Sequence, residues 1–323
     1  MRWLFFVLAA VSLLLPTLFV FSLNFKYEFF NKTEISKEII FKINSNETLT
    51  SVANRLKNEK LIFDSKLFQY GARFYRFDKK LRYGEFVLNN NMSIRDILTK
   101  ITSNESITYN VFVRECLTSW EILEHFKKQH FLINDLSETK IAEGVFSPNT
   151  YTVSFNTRFS DLLILMRQEQ DNILEEEWNG RAKNLPLKNK YELLVLASII
   201  EKESANFDEM SLVSSVFTNR LNKRMRLQSD PTVSYGIDNG NTLIRRVITK
   251  NDLQQINSHN TYRFSGLPSS PICNPGKSAI HAAANPTNTD YLYFVMSDSG
   301  NHLFEETFEK HKNNVVKWRK SKK

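Results

Sequence analysis

One glutamate follows the most apolar stretch of the chain after its N-terminal segment. Residues Leu193–Ser204 read LLVLASIIEKES, so seven apolar residues and a single serine lead directly into Glu201. On a helix, Leu194 and Ala197 share the face of Glu201, and a helix that is apolar all round is buried. A carboxyl group at the end of such a helix is partly desolvated, which raises its pKa. A raised pKa is what a general acid needs near neutral pH.

A second carboxyl group lies two residues further on. Glu203 is rotated from Glu201 by about 200° if the helix continues, so we expect the two groups to point in different directions. The alternative for Glu201 is a structural role at a helix end, where it is exposed or paired with Lys202 or Arg220. The local pattern by itself leaves both interpretations open.

Other kinds of catalytic site are not indicated. The run NPGKS at Asn274–Ser278 is like the end of a phosphate-binding loop, but Pro271 stands where that motif needs a glycine. The six histidines lack metal-binding spacing, so no metal or other cofactor is expected. No G-x-S-x-G turn marks a serine hydrolase. The basic clusters at 220–226 and at the C-terminal end are interpreted as solvated helix faces, and no nucleic-acid partner is predicted.

Composition describes a folded protein of about two domains. The chain has 323 residues, of which 41% are hydrophobic and 24% charged, and its net charge is +8. These values exclude a largely disordered chain. Cys116 and Cys273 are too few for a disulfide framework or a four-thiolate metal site. One bridge between them is possible, but two separate buried thiols are the expectation.

The N-terminal segment predicts a membrane anchor at residues 1–23. Trp3–Leu23 has 21 residues without a charge, enough for a helix of about 31 Å across a hydrocarbon core of about 30 Å. The stretch is too long, and its end too bulky, for a cleaved signal peptide. We therefore predict a single-pass protein of the inner (cytoplasmic) membrane with an extracytoplasmic catalytic part, although Lys26 and Lys32 weaken the charge bias that sets orientation.

The segments after the anchor predict an α+β protein. Residues 24–37 are polar, charged and aromatic and are interpreted as a tether. Residues 38–106 carry strand, helix, helix and strand patterns in that order, which predict a small βααβ module followed by one more helix. The predicted elements are Glu38–Ile43, Glu47–Lys57, Ser65–Phe74, Tyr83–Leu88 and Met92–Ile101, the last with Ser93 as its N-cap.

Residues 107–323 are predicted to form a larger α+β domain. Its strands are expected at Ile107–Val113 and, fully buried, at Tyr291–Met296, while residues 224–266 are polar and expected to be irregular. Helices are predicted to begin at Thr118 and Glu305 and to cover Phe159–Glu177, Tyr191–Ser204, Glu209–Lys223 and Ser278–Ala284.

A series of short blocks in this larger part resembles the MltG (YceG-like) family of endolytic murein transglycosylases. The blocks are LASIIEKES at 196–204, VFTNRLNKRMRLQSDPTV at 216–233, NTY at 260–262, GLP at 266–268, PI at 271–272, NPG at 274–276, AAANP at 282–286 and DYLYFV at 290–295. GVFSPNTY at 144–151 is similar to the family's G-x-x-x-P-x-T-Y segment. One departure is PSSP at 268–271, where many relatives have Pro-Pro-Gly before the second proline.

The resemblance implies a fold, a substrate and a catalytic residue. The small module is similar to a LysM peptidoglycan-binding fold, and Glu201 matches the family's catalytic glutamate. The family cleaves the β-1,4 bond between N-acetylmuramic acid and N-acetylglucosamine within glycan strands and leaves a 1,6-anhydro end. One carboxyl group suffices for this reaction, whereas most glycoside hydrolases need two. A cut in a growing strand would set where its elongation stops.

Four further residues of the blocks are candidates for substrate binding. Gln228 and Asp230 would bond sugar hydroxyls or acetamides, Tyr262 would stack on a pyranose face, and Asn274 would hold an acetamide or steady the glutamate. The alternative for each is a role in loop architecture, since Asp-Pro and Asn-Pro-Gly are also common in turns.

Two other functions remain open beside the transglycosylase. One is a non-catalytic peptidoglycan-binding scaffold of the wall-synthesis machinery, for which the anchor and the small module would suffice. The other is an ordinary hydrolase in which Glu203 or Asp230 activates water. The partners that the family implies are glycan strands, the membrane and peptidoglycan synthases.

Overall fold

A computed structural model describes residues 23–32, 37–89, 91–137, 141–204, 206–241, 247–298 and 300–321. The predicted membrane anchor lies outside the described residues except for Leu23, and no helix within these ranges is long and apolar enough to cross a bilayer. The chain divides into two compact units. One contains the residues up to Asn110 together with Thr152–Thr157, and the other contains Val111–Tyr151 and the chain from Arg158 onward.

The N-terminal unit has the predicted βααβ order. Its elements are β1 (Ile39–Ile43), α1 (Leu49–Asn58), α2 (Ser65–Phe74), β2 (Gly84–Leu88) and α3 (Ile94–Thr102). Strands β1 and β2 pair antiparallel, with Ile39 opposite Leu88 and Ile43 opposite Gly84. Both strands turn alternate residues inward, where they meet the apolar faces of the three helices in one core.

Polar residues fix where the three helices of this unit begin. The hydroxyl of Thr48, the residue before α1, accepts a hydrogen bond from the backbone N–H of Ser51. The Asp64 carboxylate accepts hydrogen bonds from two backbone N–H groups of α2. Ser93 caps α3 as predicted and forms a reciprocal capping box with Asp96. Each cap satisfies amide groups that the first helical turn leaves without a partner.

The predicted tether is wrong for its first part. Residues 23–30 are helical, and Phe29 is fully buried in the core of the N-terminal unit. A Cβ atom added to Gly71 would lie 2.0 Å from the Phe29 ring, so the glycine provides the space that the ring fills. Aromatic residues between charges concealed this packing, because one buried ring sets no periodic pattern in the sequence.

The remaining elements begin near the boundary between the units. They are β3 (Thr108–Phe112), α4 (Ser119–Lys127), β4 (Leu132–Ile133), β5 (Thr150–Ser154), β6 (Thr157–Arg158), α5 (Phe159–Asn179), α6 (Lys190–Glu203), α7 (Met210–Asn222), α8 (Asp230–Asp238), α9 (Lys277–Ala284), β7 (Tyr293–Met296), β8 (His302–Glu305) and α10 (Phe308–Ser321). The strands pair as β3 with β5, β4 with β6 and β7 with β8.

Helix α6 is the centre of the larger unit. Every residue from Leu193 to Ile200 is buried, because α5, α7 and α9 all pack against this helix. The surrounding contacts explain why its sequence is apolar on all sides, as predicted. Helices and small sheets together confirm the α+β class.

Three details of the larger unit differ from the prediction. Helix α8 lies in the region expected to be irregular, has Pro231 in its first turn and is followed by the capping residue Asn239, which has a φ of 54°. Strand β7 is partly exposed, because β8 is its single strand partner in the described chain. Glu305 ends β8, so the last helix begins three residues later than predicted.

The expectation of two separate thiols is wrong. Cys116 and Cys273 form a disulfide, with their Cα atoms 4.8 Å apart and a sequence separation of 157. No local pattern predicts such a contact, because the loop that it closes spans most of the larger unit. The bridge joins the segment before α4 to the segment before α9.

Replacing both cysteines by alanine is expected to lower the free energy of unfolding by about 2–5 kcal/mol, because a cross-link over a long loop limits the freedom of the unfolded chain. Chemical denaturation of the oxidised protein and of the Cys116→Ala/Cys273→Ala variant measures the difference. Free thiols in the denatured protein without reductant would contradict the bridge.

Candidate active site

Glu201 lies in the last turn of α6, where it meets the beginning of α9. The backbone N–H of Gly276, the residue that caps α9, donates to the Glu201 Oε2 atom at 3.0 Å. One turn earlier in α6, the Ser198 hydroxyl accepts the amide of Ile272 at 3.1 Å. The single serine of the apolar helix therefore aligns the segment 272–276 along α6 and brings Gly276 to the carboxylate.

The pKa of Glu201 is raised, which is the direction predicted. Burial is the largest cause, and the negative charge of Glu115 acts in the same direction. The Gly276 hydrogen bond and the positive charge of Lys202 oppose the shift without reversing it. The surroundings thus favour the protonated carboxyl group more than water does and still keep a hydrogen bond for the carboxylate, which suits a group that alternates between acid and base.

Sequence reasoning missed Glu115. It lies between β3 and α4, with no periodic pattern or motif around it, so nothing local distinguished it from a surface glutamate. A Cβ atom added to Gly276 would lie 2.8 Å from the Glu115 Cγ atom and 3.5 Å from the Glu201 Oε2 atom. The side chains of Glu115 and Glu201 therefore occupy the space that a side chain at position 276 would need. A residue larger than glycine would displace one of them.

The disulfide holds this surrounding in place. Cys116 directly follows Glu115, and its carbonyl accepts a hydrogen bond from the Lys202 ammonium group at 3.1 Å. Cys273 lies three residues before Gly276, in the segment that precedes α9. The bridge therefore joins the two segments that approach Glu201, one carrying Glu115 and the other carrying the Gly276 amide.

Asn274 is fully buried, and its side-chain amide bonds to the protein itself. Its Oδ1 atom accepts the Phe146 amide at 2.9 Å. Its Nδ2 atom donates to the Leu117 carbonyl at 2.9 Å and to the Glu143 Oε1 atom at 3.1 Å. Since the side chain is 0% exposed, these contacts position neighbouring segments and leave no surface of the amide for a sugar.

Glu203 faces a different set of residues from Glu201, in agreement with the predicted rotation. The Ser229 hydroxyl donates to its Oε1 atom at 2.6 Å. Burial raises the pKa of Glu203 to about 7, and the charge of Asp230 contributes to the same shift against the effects of Ser229 and Arg220. Arg220 binds two backbone carbonyls at 2.7 Å, those of Leu227 and Leu292.

Three of the candidate binding residues lie close together on this side. The Tyr262 hydroxyl donates to the Asp230 carboxylate at 2.7 Å. The backbone N–H of Gln228 donates to the Thr261 carbonyl at 3.3 Å, and the side chain of Gln228 is exposed between two buried neighbours. Gln228 has a φ of 50°, a left-handed conformation that is uncommon for a residue with a side chain. The structure therefore gathers Gln228, Asp230 and Tyr262 near Glu203, whereas Asn274 belongs to the surroundings of Glu201.

The motif around Gly144 contacts the segment 271–276 that leads to the Gly276 amide. Gly144 has a φ of 83°, and a Cβ atom there would lie 2.6 Å from Pro271. The Gln170 side-chain amide donates to the Gly144 carbonyl at 3.2 Å and to the Pro275 carbonyl at 3.0 Å. Within the described ranges, no cluster of three His, Cys, Asp or Glu side chains is arranged to hold a metal ion.

Comparison with known proteins identifies the family. The sequence pattern of the YceG-like family matches residues 41–317, so the chain belongs to this family, and the resemblance predicted from the motif blocks is confirmed. The chain is 30% identical to the endolytic murein transglycosylase of Bacillus subtilis (strain 168) over 311 residues, which are 87% of this chain and 84% of that protein.

Two further relatives agree with this assignment. The endolytic murein transglycosylase of Streptococcus pneumoniae (serotype 2, strain D39) is 31% identical over 185 residues, 56% of this chain and 33% of that protein. The 2.6 Å crystal structure of a putative YceG-like protein from Listeria monocytogenes aligns with a TM-score of 0.53 and 26% identity, over 86% of this chain and 99% of that one.

The charges beside Glu201 are expected to set the pH dependence of activity. If Glu201 is the general acid, activity requires its protonated form, and kcat/KM is expected to fall as the pH rises through its raised pKa. Glu115→Gln removes a charge that raises this pKa and should move the fall to lower pH. Lys202→Met removes a charge that lowers it and should move the fall to higher pH. Rate profiles on peptidoglycan measure both, and losses of rate without opposite shifts would contradict the assignment.

Glu203 is expected to make stability depend on pH. Its pKa is about 7 in the folded protein against an ordinary 4.5, so the folded state holds the proton more tightly. This stabilisation is fully present below about pH 4.5 and is lost as the pH rises through about 7. Glu203→Gln should therefore raise Tm relative to the parent at about pH 8 and change it little at about pH 4.

Thermal melts over this pH range test the expectation, with Glu306→Gln as the matched substitution at an exposed carboxyl group. A Tm difference between Glu203→Gln and the parent that does not grow with pH would show that Glu203 titrates near its ordinary value.

Proposed function

We propose that this protein is a peptidoglycan transglycosylase that cuts glycan strands internally with Glu201 as its single acid and base. The main support for this proposal is the position of Glu201. Its half-buried carboxyl group has a raised pKa and accepts a hydrogen bond from the Gly276 backbone N–H. The names of the curated relatives, endolytic murein transglycosylases, support the substrate class.

The first step of the proposed reaction breaks the bond between N-acetylmuramic acid and N-acetylglucosamine. Protonated Glu201 gives its proton to the glycosidic oxygen, and the electron pair of the breaking C1–O bond goes to that oxygen. Burial and Glu115 favour the protonated form before this step. The Gly276 amide and Lys202 stabilise the carboxylate that the step creates.

The second step closes the ring. The C6 hydroxyl of the same muramic residue bonds to C1, and its proton goes to the Glu201 carboxylate, which is thereby ready for another cycle. The nucleophile belongs to the sugar itself, so proximity replaces the binding of a water molecule. No atom is added overall, and the new end is a 1,6-anhydro sugar.

The remaining candidate residues are assigned by what they contact. Exposed Asp230 and half-buried Tyr262 form a hydrogen-bonded pair beside exposed Gln228, and these three are proposed to bind sugar groups. Asn274 is proposed as a positioning residue, because its buried amide fixes the segment that carries Gly276. Glu203 supports the Gln228–Asp230 segment through Ser229.

We also propose that the protein is anchored in the cytoplasmic membrane and acts outside the cytoplasm. The apolar run Trp3–Leu23 supports the anchor, and the Cys116–Cys273 disulfide is of the kind that persists in oxidising compartments. The βααβ arrangement of the N-terminal unit supports a LysM-like, glycan-binding role. Peptidoglycan synthases remain the proposed partner class.

Product mass tests the proposed reaction. The full-length chain in a non-ionic detergent is incubated with peptidoglycan, beside Glu201→Gln and beside Glu306→Gln as the matched exposed substitution. The expected result is fragments ending in 1,6-anhydromuramic acid from the parent and from Glu306→Gln, and none from Glu201→Gln.

Two outcomes would reject the proposal. Fragments heavier by one water would indicate a hydrolase, and Glu115 would then be the first candidate for the second carboxyl group. Glycan binding by the full-length parent without any fragments would indicate the scaffold function.

A further inference from the structure

A cavity of about 690 Å³ lies in the larger unit beside the segments that surround Glu201. Its volume falls in the range of ligand-binding sites, about 300–1,000 Å³. Aromatic and polar side chains line it together, among them Trp120, Tyr191, Tyr235, Glu143, Asn241 and His259. None of them belongs to the residues assigned above to the chemical step.

Glu143 provides the polar centre of this cavity. Its Oε1 atom accepts four hydrogen bonds, from the Ser119 amide and hydroxyl, the Gly144 amide and the Asn274 side chain. Its Oε2 atom accepts one longer bond among the described residues, from the Tyr235 hydroxyl at 3.3 Å. Oε2 therefore keeps acceptor capacity for a ligand, while Oε1 fixes the carboxylate in place.

Tyr235 is held rigidly beside this carboxylate. Its ring packs on the His259 ring with the centroids 4.9 Å apart, and the Nε2 atom of His259 lies 2.8 Å from the Ser270 hydroxyl. A Cβ atom at Gly240 would lie 2.6 Å from the Tyr235 ring, so the loop packs closely on its other edge. The polar groups of the cavity are thus fixed before any ligand enters.

Two aromatic rings of the cavity remain exposed. Trp120 is 39% exposed and Tyr191 is 48% exposed, although both belong to helices whose other apolar residues are largely buried. Exposed aromatic rings beside fixed hydrogen-bonding groups match a sugar ring, because the ring's C–H face packs on aromatic carbon while its hydroxyl and acetamide groups need polar partners.

The wall of the cavity is hydrogen-bonded to the segment that contacts Glu201. Asn274 bonds to Glu143 through its side chain and lies two residues before Gly276, which bonds to Glu201. The charges of Glu143 and Glu201 both act on the Lys202 ammonium group. A group bound at Glu143 therefore lies in reach of the framework that positions the general acid.

We propose that this cavity binds an N-acetylhexosamine unit of the glycan strand, at a subsite next to the pair of sugars that is cut. The proposal rests on the proposed function, because that function supplies the polymer. Glu143 Oε2 and Asn241 bind the polar groups of the unit, and Trp120 packs against its ring. A strand held beyond the cleaved pair is bound in its interior, which explains internal cutting.

Binding of a sugar oligomer tests the subsite apart from catalysis. The probe is N-acetylchitotetraose, titrated by calorimetry into the full-length Glu201→Gln protein, with cellotetraose as the matched oligomer that lacks acetamides. Adding Trp120→Ala is expected to weaken binding of N-acetylchitotetraose about tenfold, and adding Phe207→Ala, an aromatic residue 61% exposed outside the cavity, is expected to leave it unchanged. Cellotetraose is expected to bind the Glu201→Gln protein more weakly than N-acetylchitotetraose.

Turnover on peptidoglycan provides the second measurement. Trp120→Ala with Glu201 intact is expected to raise KM about tenfold and to change kcat much less, because Trp120 contacts the strand away from the reacting atoms. Equal binding of N-acetylchitotetraose by the Trp120→Ala and Phe207→Ala proteins would overturn the subsite while leaving the transglycosylase function in place. Tryptophan-dependent binding without anhydro products from the parent would overturn that function and leave a wall-sugar binding site.

Discussion

The arrangement around Glu201 depends on one buried amide, the side chain of Asn274. A buried amide that leaves its groups unpaired is costly, so its partners must stay in place. These partners are the Leu117 carbonyl and the Ser119 hydroxyl on one stretch of chain, and Glu143 and the Phe146 amide on another. Because Gly276 follows two residues later, the same bonds fix the amide that Glu201 accepts. The disulfide adds a covalent link at Cys273, the residue directly before Asn274.

A single residue that serves as acid and then as base needs a pKa between two extremes. Burial and Glu115 alone would hold the proton on Glu201 and make the second half of the proposed reaction slow. The Gly276 amide and Lys202 alone would keep the carboxylate and leave no proton for the first half. The four influences come from α6 itself, from the α9 N-terminus and from the segment before α4. The balance is therefore a property of how three parts of the larger unit pack, and not of the glutamate's local sequence.

Local patterns predicted what depends on local forces. The apolar run of α6, the Ser93 cap and the divergence of Glu201 from Glu203 follow from helical period and capping chemistry, which a sequence displays. The disulfide, Glu115 and the burial of Phe29 depend on contacts between residues distant in the chain, which leave no period. Helix α8 was missed because its polar residues conceal the pattern. The motif blocks brought Gln228, Asp230, Tyr262 and Asn274 to notice, but only the fold separates the three exposed or half-exposed side chains from the buried fourth.

Glu201 and Glu203 are two positions apart at the end of α6, and this spacing determines which way each carboxyl group points. About 200° of rotation directs one carboxyl group to Gly276 and the other to Ser229. Helix α6 is rigid because it is buried along eight consecutive residues. Its last turn therefore joins two different surroundings, the one that tunes the proposed acid and the one that supports Gln228 and Asp230. A strand bound by the latter residues is positioned relative to the acid by the helix itself, without any hydrogen bond between Glu201 and the three proposed binding residues.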